Sequence, residues 1–160
     1  MRLPQPPERP SIVGTPAVAH GEIDAFAQNV GRFRRGDIDE ARFLEYRLRH
    51  GVYGMRQDGV HMMRSKLPLG LMAADQLEAF ADLTERYASG VAHLTTRQDI
   101  QVHFIDLRGS AEVMRVLDAA DMTSREACGN VVRNVTADPL AGLHPGEAFD
   151  VTGYGMAVAR

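Results

Sequence analysis

HLTTRQDIQVH, residues 93–103, reads as two short strands folded about a bend. Side chains along a strand alternate between faces. His93, Thr95 and Arg97 therefore share one face, and Gln101 and His103 share it on the return. Leu94, Ile100, Val102 and Phe104 take the other, which marks it as the face toward a core. Two imidazoles, a guanidinium, an amide and a hydroxyl then look one way.

The flanks set this hairpin in a larger pattern. Upstream, residues 59–67 (GVHMMRSKL) alternate as a strand, with Met63 and Leu67 on the apolar side and Arg64 and Lys66 on the polar side. Pro68 and Gly70 break it. Residues 74–88 then carry Leu77, Phe80, Ala81, Thr84 and Tyr87 at helical spacing, with Gly90 as a terminator. Strands over 91–96 and 99–106 follow. A second helix spans 110–120, with Ser110 as N-cap and Val113, Val116, Leu117 and Ala120 as its buried stripe. A fourth strand is expected over 122–127. The order is βαββαβ, an α+β ferredoxin-like half-domain with an antiparallel sheet. Before it, residues 1–20 form a proline-rich arm, and 21–58 a helical or extended segment whose first helix runs from Glu22 to about Arg35.

Bulk composition narrows the function classes. The 160 residues are 44% hydrophobic and 24% charged, enough for one packed domain. The net charge of −3 gives no global basic field for nucleic acid or a membrane surface. No apolar run approaches the ~20 residues of a membrane span, and prolines interrupt any signal-peptide core. One cysteine, Cys128, excludes an internal disulfide and any iron–sulfur or zinc site built from several cysteines of this chain. A cytoplasmic location is the expectation.

The polar face admits several readings. Taken singly, a strand histidine is ordinarily solvated or hydrogen-bonded structure, and one wet face is normal for an antiparallel sheet. Zinc would need more than His93 and His103. Single-stranded RNA would need aromatic platforms, which the face lacks. A multiply carboxylated or phosphorylated small molecule suits the residue types best, because guanidinium forks pair with such anions while Thr95, Gln101 and the imidazoles add directional bonds.

Three separated runs carry a resemblance: RHGVYGMRQDGVHMMRSKLPLG (49–70), HLTTRQDIQVHFIDL (93–107) and ACGNVVRNVTADPLAG (127–142). In order and spacing they resemble the amino-terminal part of the sirohaem-dependent nitrite and sulfite reductases. The match places 59–127 in the ferredoxin-like half-domain and 128–160 at the start of the sirohaem-binding domain. The resemblance implies sirohaem, an iron tetrapyrrole carrying eight carboxylates, as cofactor. It implies cofactor contacts at Thr95, Arg97, Gln101 and His103, with His93 standing where many relatives have arginine. Arg64 and Arg133 are implied to bind cofactor and the substrate anion, nitrite or sulfite, and so to act in catalysis. Met55 and Asp138 depart from the usual glutamine and cysteine of their motifs. The family's [4Fe-4S] cysteine motifs lie downstream and have no counterpart here. The expectation is therefore the N-terminal portion of a six-electron reductase, supplied by ferredoxin or a flavoprotein and dependent on a missing C-terminal half. A non-catalytic tetrapyrrole-binding or partner-pairing module is the alternative.

Overall fold

The computed structural model describes residues 20–159, so the expected proline-rich arm lies outside the described residues. Two helices open the chain, α1 (His20–Arg34) and α2 (Glu40–Arg49), the second started by Asp39, whose carboxylate accepts from the Arg42 amide at 2.9 Å. Strands β1 (Val52–Gly54) and β2 (Val60–Ser65) follow, then a 3-10 turn at Pro68–Gly70 and helix α3 (Ala74–Tyr87). Strands β3 (Ala92–Leu94) and β4 (Ile100–Asp106) precede helix α4 (Ser110–Ala119), and α5 (Thr152–Ala159) closes the described chain.

The sheet is antiparallel in the order β1-β2-β4-β3. One face packs under helices: α1 lies on α4, α2 on β1, and α3 on α4 and β4. Phe26, Phe43, Val52, Met63, Leu83, Ile105, Val113 and Leu117 form the fully enclosed part of this core. Burying such side chains contributes roughly 1.5–3 kcal/mol each and dominates the stability of the layer.

The α+β ferredoxin-like arrangement is the one that strand and helix periodicity predict, with local differences, the first being Leu94, expected on the core face but exposed on the edge strand β3. The edge beside β2 is not a strand over 122–127. Those residues make a single bridge, Lys66 to Thr123, and β1 takes the place instead. In α3 the buried residues are Gln76, Phe80, Leu83 and Thr84, whereas Leu77 is exposed. Gln76 is satisfied at both ends, its oxygen accepting from the Ala73 amide and its amide donating to Ala120 O, each at 3.0 Å. A fully bonded amide thus outcompetes leucine for that position. Ser110 is the first helical residue of α4 rather than its cap, while Asp106 caps the preceding turn. Finally, the register between β2 and β4 slips between His61 and Met63. Phe104, with φ 65°, is the extra residue of a bulge, so it is exposed and Ile105 takes the core position.

No helix among the described residues is long and apolar enough to cross a membrane.

Candidate functional site

The polar face of the sheet begins with a row across three strands. Arg64 on β2 pairs with Gln101 on β4, and Gln101 pairs with His93 on β3. With its amide oxygen turned toward Arg64, Gln101 accepts from Nε at 2.8 Å. The Arg64 Nη1 donates to Ala127 O at 3.3 Å. This fork is therefore held between its own strand neighbour and the segment that follows α4. Two residues along β4 from Gln101, His103 meets His93 edge to face, ring centroids 4.6 Å apart. Burial, reinforced by His93, pulls the His103 pKa below its ordinary value and so favours the neutral imidazole. Its Nδ1 is buried without a hydrogen-bond partner.

Thr95 and Arg97 occupy the bend between β3 and β4. The Thr95 hydroxyl oxygen accepts from the amides of Arg97 and Asp99, both at 3.2 Å. That commits the oxygen to the turn and leaves the hydroxyl proton to be donated. Gln98 N–H donates to Thr95 O at 3.0 Å, and Gln98 itself adopts φ 61°. Arg97 is exposed.

Residues 128–138 run irregularly beside this bend and are clamped to it by side-chain amides. Asn134 Nδ2 donates to Leu67 O and to Arg97 O, both at 2.9 Å. Gln98 mimics a strand partner toward Ala137, donating to its carbonyl at 2.7 Å and accepting from its amide at 3.0 Å. Leu69 N–H donates to Val135 O at 2.8 Å. Arg133 is half-buried next to the clamped Asn134. The Arg64 and Arg133 guanidiniums oppose the rise that burial imposes on the Cys128 thiol. Cys128 itself is buried, and its Sγ donates to Gly51 O at 3.5 Å. The left-handed Gly129, at φ 89°, supplies the tight backbone position just before the clamp.

The seven predicted site residues are thus arranged in three groups: Arg64, Gln101, His93 and His103 on the sheet, Thr95 and Arg97 in the bend, and Arg133 on the clamped segment. Among the described residues no hydrogen bond joins the Arg97 or Arg133 side chain to the row on the sheet. Sequence reasoning missed Gln98, Asn134 and Asp99. All three sit inside the motifs already singled out, and Gln98 and Asn134 are the two that make the clamp. What marks them is the need to satisfy backbone groups of an irregular segment, which periodicity does not register.

Comparison with known proteins matches residues 53–120 to the family described as nitrite/sulfite reductase ferredoxin-like half domain. Residues 53–120 thus resemble the ferredoxin-like half domain of the nitrite/sulfite reductases. The half-domain chain is 32% identical over 133 residues to an assimilatory ferredoxin-dependent nitrite reductase of Haloferax mediterranei, covering 76% of this chain and 22% of that protein. It is 34% identical over 135 residues to a chloroplastic ferredoxin–nitrite reductase of Zea mays, covering 79% and 24%. A sulfite reductase [ferredoxin] of Mycobacterium tuberculosis is 33% identical over 91 residues, covering 57% and 16%. The chain therefore spans less than a quarter of the length of these relatives. The structure of the Mycobacterium tuberculosis NirA protein shares the fold, with a TM-score of 0.68 and 24% identity, over 87% of this chain and 30% of that one.

Proposed function

We propose that the half-domain forms one wall of a sirohaem and substrate-anion site in a ferredoxin-dependent nitrite or sulfite reductase. The observation that carries this reading is the row of Arg64, Gln101 and His93 across three strands, with His103 against it. The donor set fits a polycarboxylate: guanidiniums bind carboxylates as forks, and the unpartnered Nδ1 of His103 is a polar atom in need of a ligand. Arg64, Arg97, His93, Thr95, Gln101 and His103 would hold the tetrapyrrole carboxylates. Arg64 and Arg133 would hold the substrate anion.

When bound, sirohaem supplies the redox-active iron, working with a [4Fe-4S] cluster whose thiolates this chain does not contain. The chain's own contribution is electrostatic. Arg64 is pre-oriented by Gln101 and the Ala127 carbonyl, and Arg133 by the Asn134 clamp. Fixed positive charge of this kind favours a bound anion without reorganisation at the moment of reaction. Exposed Arg97 adds charge at the rim.

Sirohaem titrated into the 160-residue chain should shift its Soret band, and Arg97→Ala and His103→Ala should each weaken binding about tenfold or more. Identical titrations of wild type and both variants would remove the sheet face as the site.

A further inference from the structure

Among the described residues, Asp99 is the one acidic side chain that is buried. It is 1% exposed, and neither carboxylate oxygen is hydrogen-bonded with good geometry. Continuing the register that pairs Ser65 with Ile100 sets it opposite Lys66, two residues from Gln101. Its own backbone is locked by Thr95, which donates to Asp99 O at 2.9 Å and accepts from Asp99 N. The cations around it are Arg64 and Lys66 from the β2 strand and its extension and Arg97 from the bend, and the titratable Cys128 thiol of the segment after α4 also interacts with it. Lys66 also pairs with Glu126 at 3.6 Å. An unpaired carboxylate enclosed among these cations is too costly to be incidental filling.

We propose that Asp99 is a positioning counter-charge beneath the polar face, and that its proton sets how strongly Arg64, Lys66 and Arg97 hold an anionic ligand there. The inference rests on the anion-site reading of that face. Ionised, Asp99 cancels one of the three positive charges from within. Protonated, it leaves all three to the ligand. Burial pushes its pKa up to about 6, against the opposing pull of the Leu67 backbone, Arg64, Lys66 and Arg97, so the change falls in the physiological range. His93 and His103 lie on the same face, so the contribution of Asp99 is isolated by substitution.

Sirohaem affinity, read from the Soret band, is measured at pH 5 and pH 8 for wild type and Asp99→Asn. The Asn variant should bind about tenfold tighter than wild type at pH 8, the effect of removing one nearby charge, and equally at pH 5. Equal affinities at both pH values overturn the inference. A second arm needs no ligand: the Asp99 carboxyl carbon and the Arg64 and Arg97 Nε resonances are followed by NMR across pH in the wild-type chain. A shared midpoint near 6 supports the counter-charge. A carboxylate midpoint below about 4.5, or arginine signals that ignore it, overturns it. Absence of sirohaem binding in both proteins, with the NMR midpoint near 6, would instead overturn the proposed cofactor site and leave the counter-charge standing.

Discussion

At the scale of single residues, Asp99 runs against the economy of the fold, because a carboxylate is enclosed where a neutral side chain would be cheaper. The sign of its effect follows from linkage. Its pKa is about 6 in the folded chain and the ordinary 3.8 when unfolded. The folded state therefore binds the proton more tightly, and the associated stability is fully present below pH 3.8 and lost as pH rises through 6. Asp99→Asn should accordingly raise the melting temperature at pH 7.5, by up to about 3 kcal/mol of stability, and leave it unchanged at pH 4. Thermal unfolding at the two pH values checks this. A variant no more stable at pH 7.5 than at pH 4, relative to wild type, would mean that the carboxylate is compensated by its arginine neighbours. Left-handed non-glycine residues tell a similar story of local cost. Leu69, Gln98 and Phe104, at φ 59°, 61° and 65°, lie respectively at the clamp, in the bend and in the bulge. Strain of this sort, about 1–3 kcal/mol per residue, collects where a site over-determines the backbone.

Among the elements, the strands that carry the site were legible from alternation alone. The period of two places Arg64, Gln101, His93 and His103 on one face, and the ladder pairs three of them directly. What alternation could not register was an inserted residue. One extra position in β4 sends Phe104 outward and Ile105 inward, without any change in the hydrophobic composition of the strand. The edge strand was also hidden, since β1 is three residues long and its central Tyr53 is exposed. Its identity depends on Gly51, where φ is 78° and an added Cβ would sit 2.2 Å from Ser124 O. Gly51→Ala should therefore cost about 3 kcal/mol, measured by denaturant unfolding, and an unchanged midpoint would show that the 122–127 segment can move away. The clamp is the element most exposed to a single substitution. Asn134→Ala removes both bonds that tie residues 128–138 to Leu67 and Arg97. Amide exchange at Arg97, Leu69 and Val135 should speed up by about tenfold or more while the core strands stay protected. Uniform exchange across the chain would instead indicate global destabilisation.

For the molecule as a whole, the half-domain is one part of a larger active centre under the proposed function. Its single cysteine is buried, so the four thiolates of a [4Fe-4S] cluster cannot come from these 160 residues. Purified alone, the chain should show no methyl-viologen-dependent reduction of nitrite or sulfite above a buffer blank. Measurable turnover would contradict that expectation. Helix α5 docks through Gly155, where an added Cβ would lie 2.4 Å from Leu69 Cδ2, yet Tyr154 and Val158 stay exposed. All four strands lie between residues 52 and 106, and α4 ends at 119. A chain emerging from the ribosome can therefore complete its sheet and helical layer before residues 128–138 are available. Because β1 rather than a downstream strand supplies the edge, the platform for the ligand does not wait for the segment carrying Arg133. The order of synthesis thus allows the receptive surface to form before the segment bearing the last arginine is made.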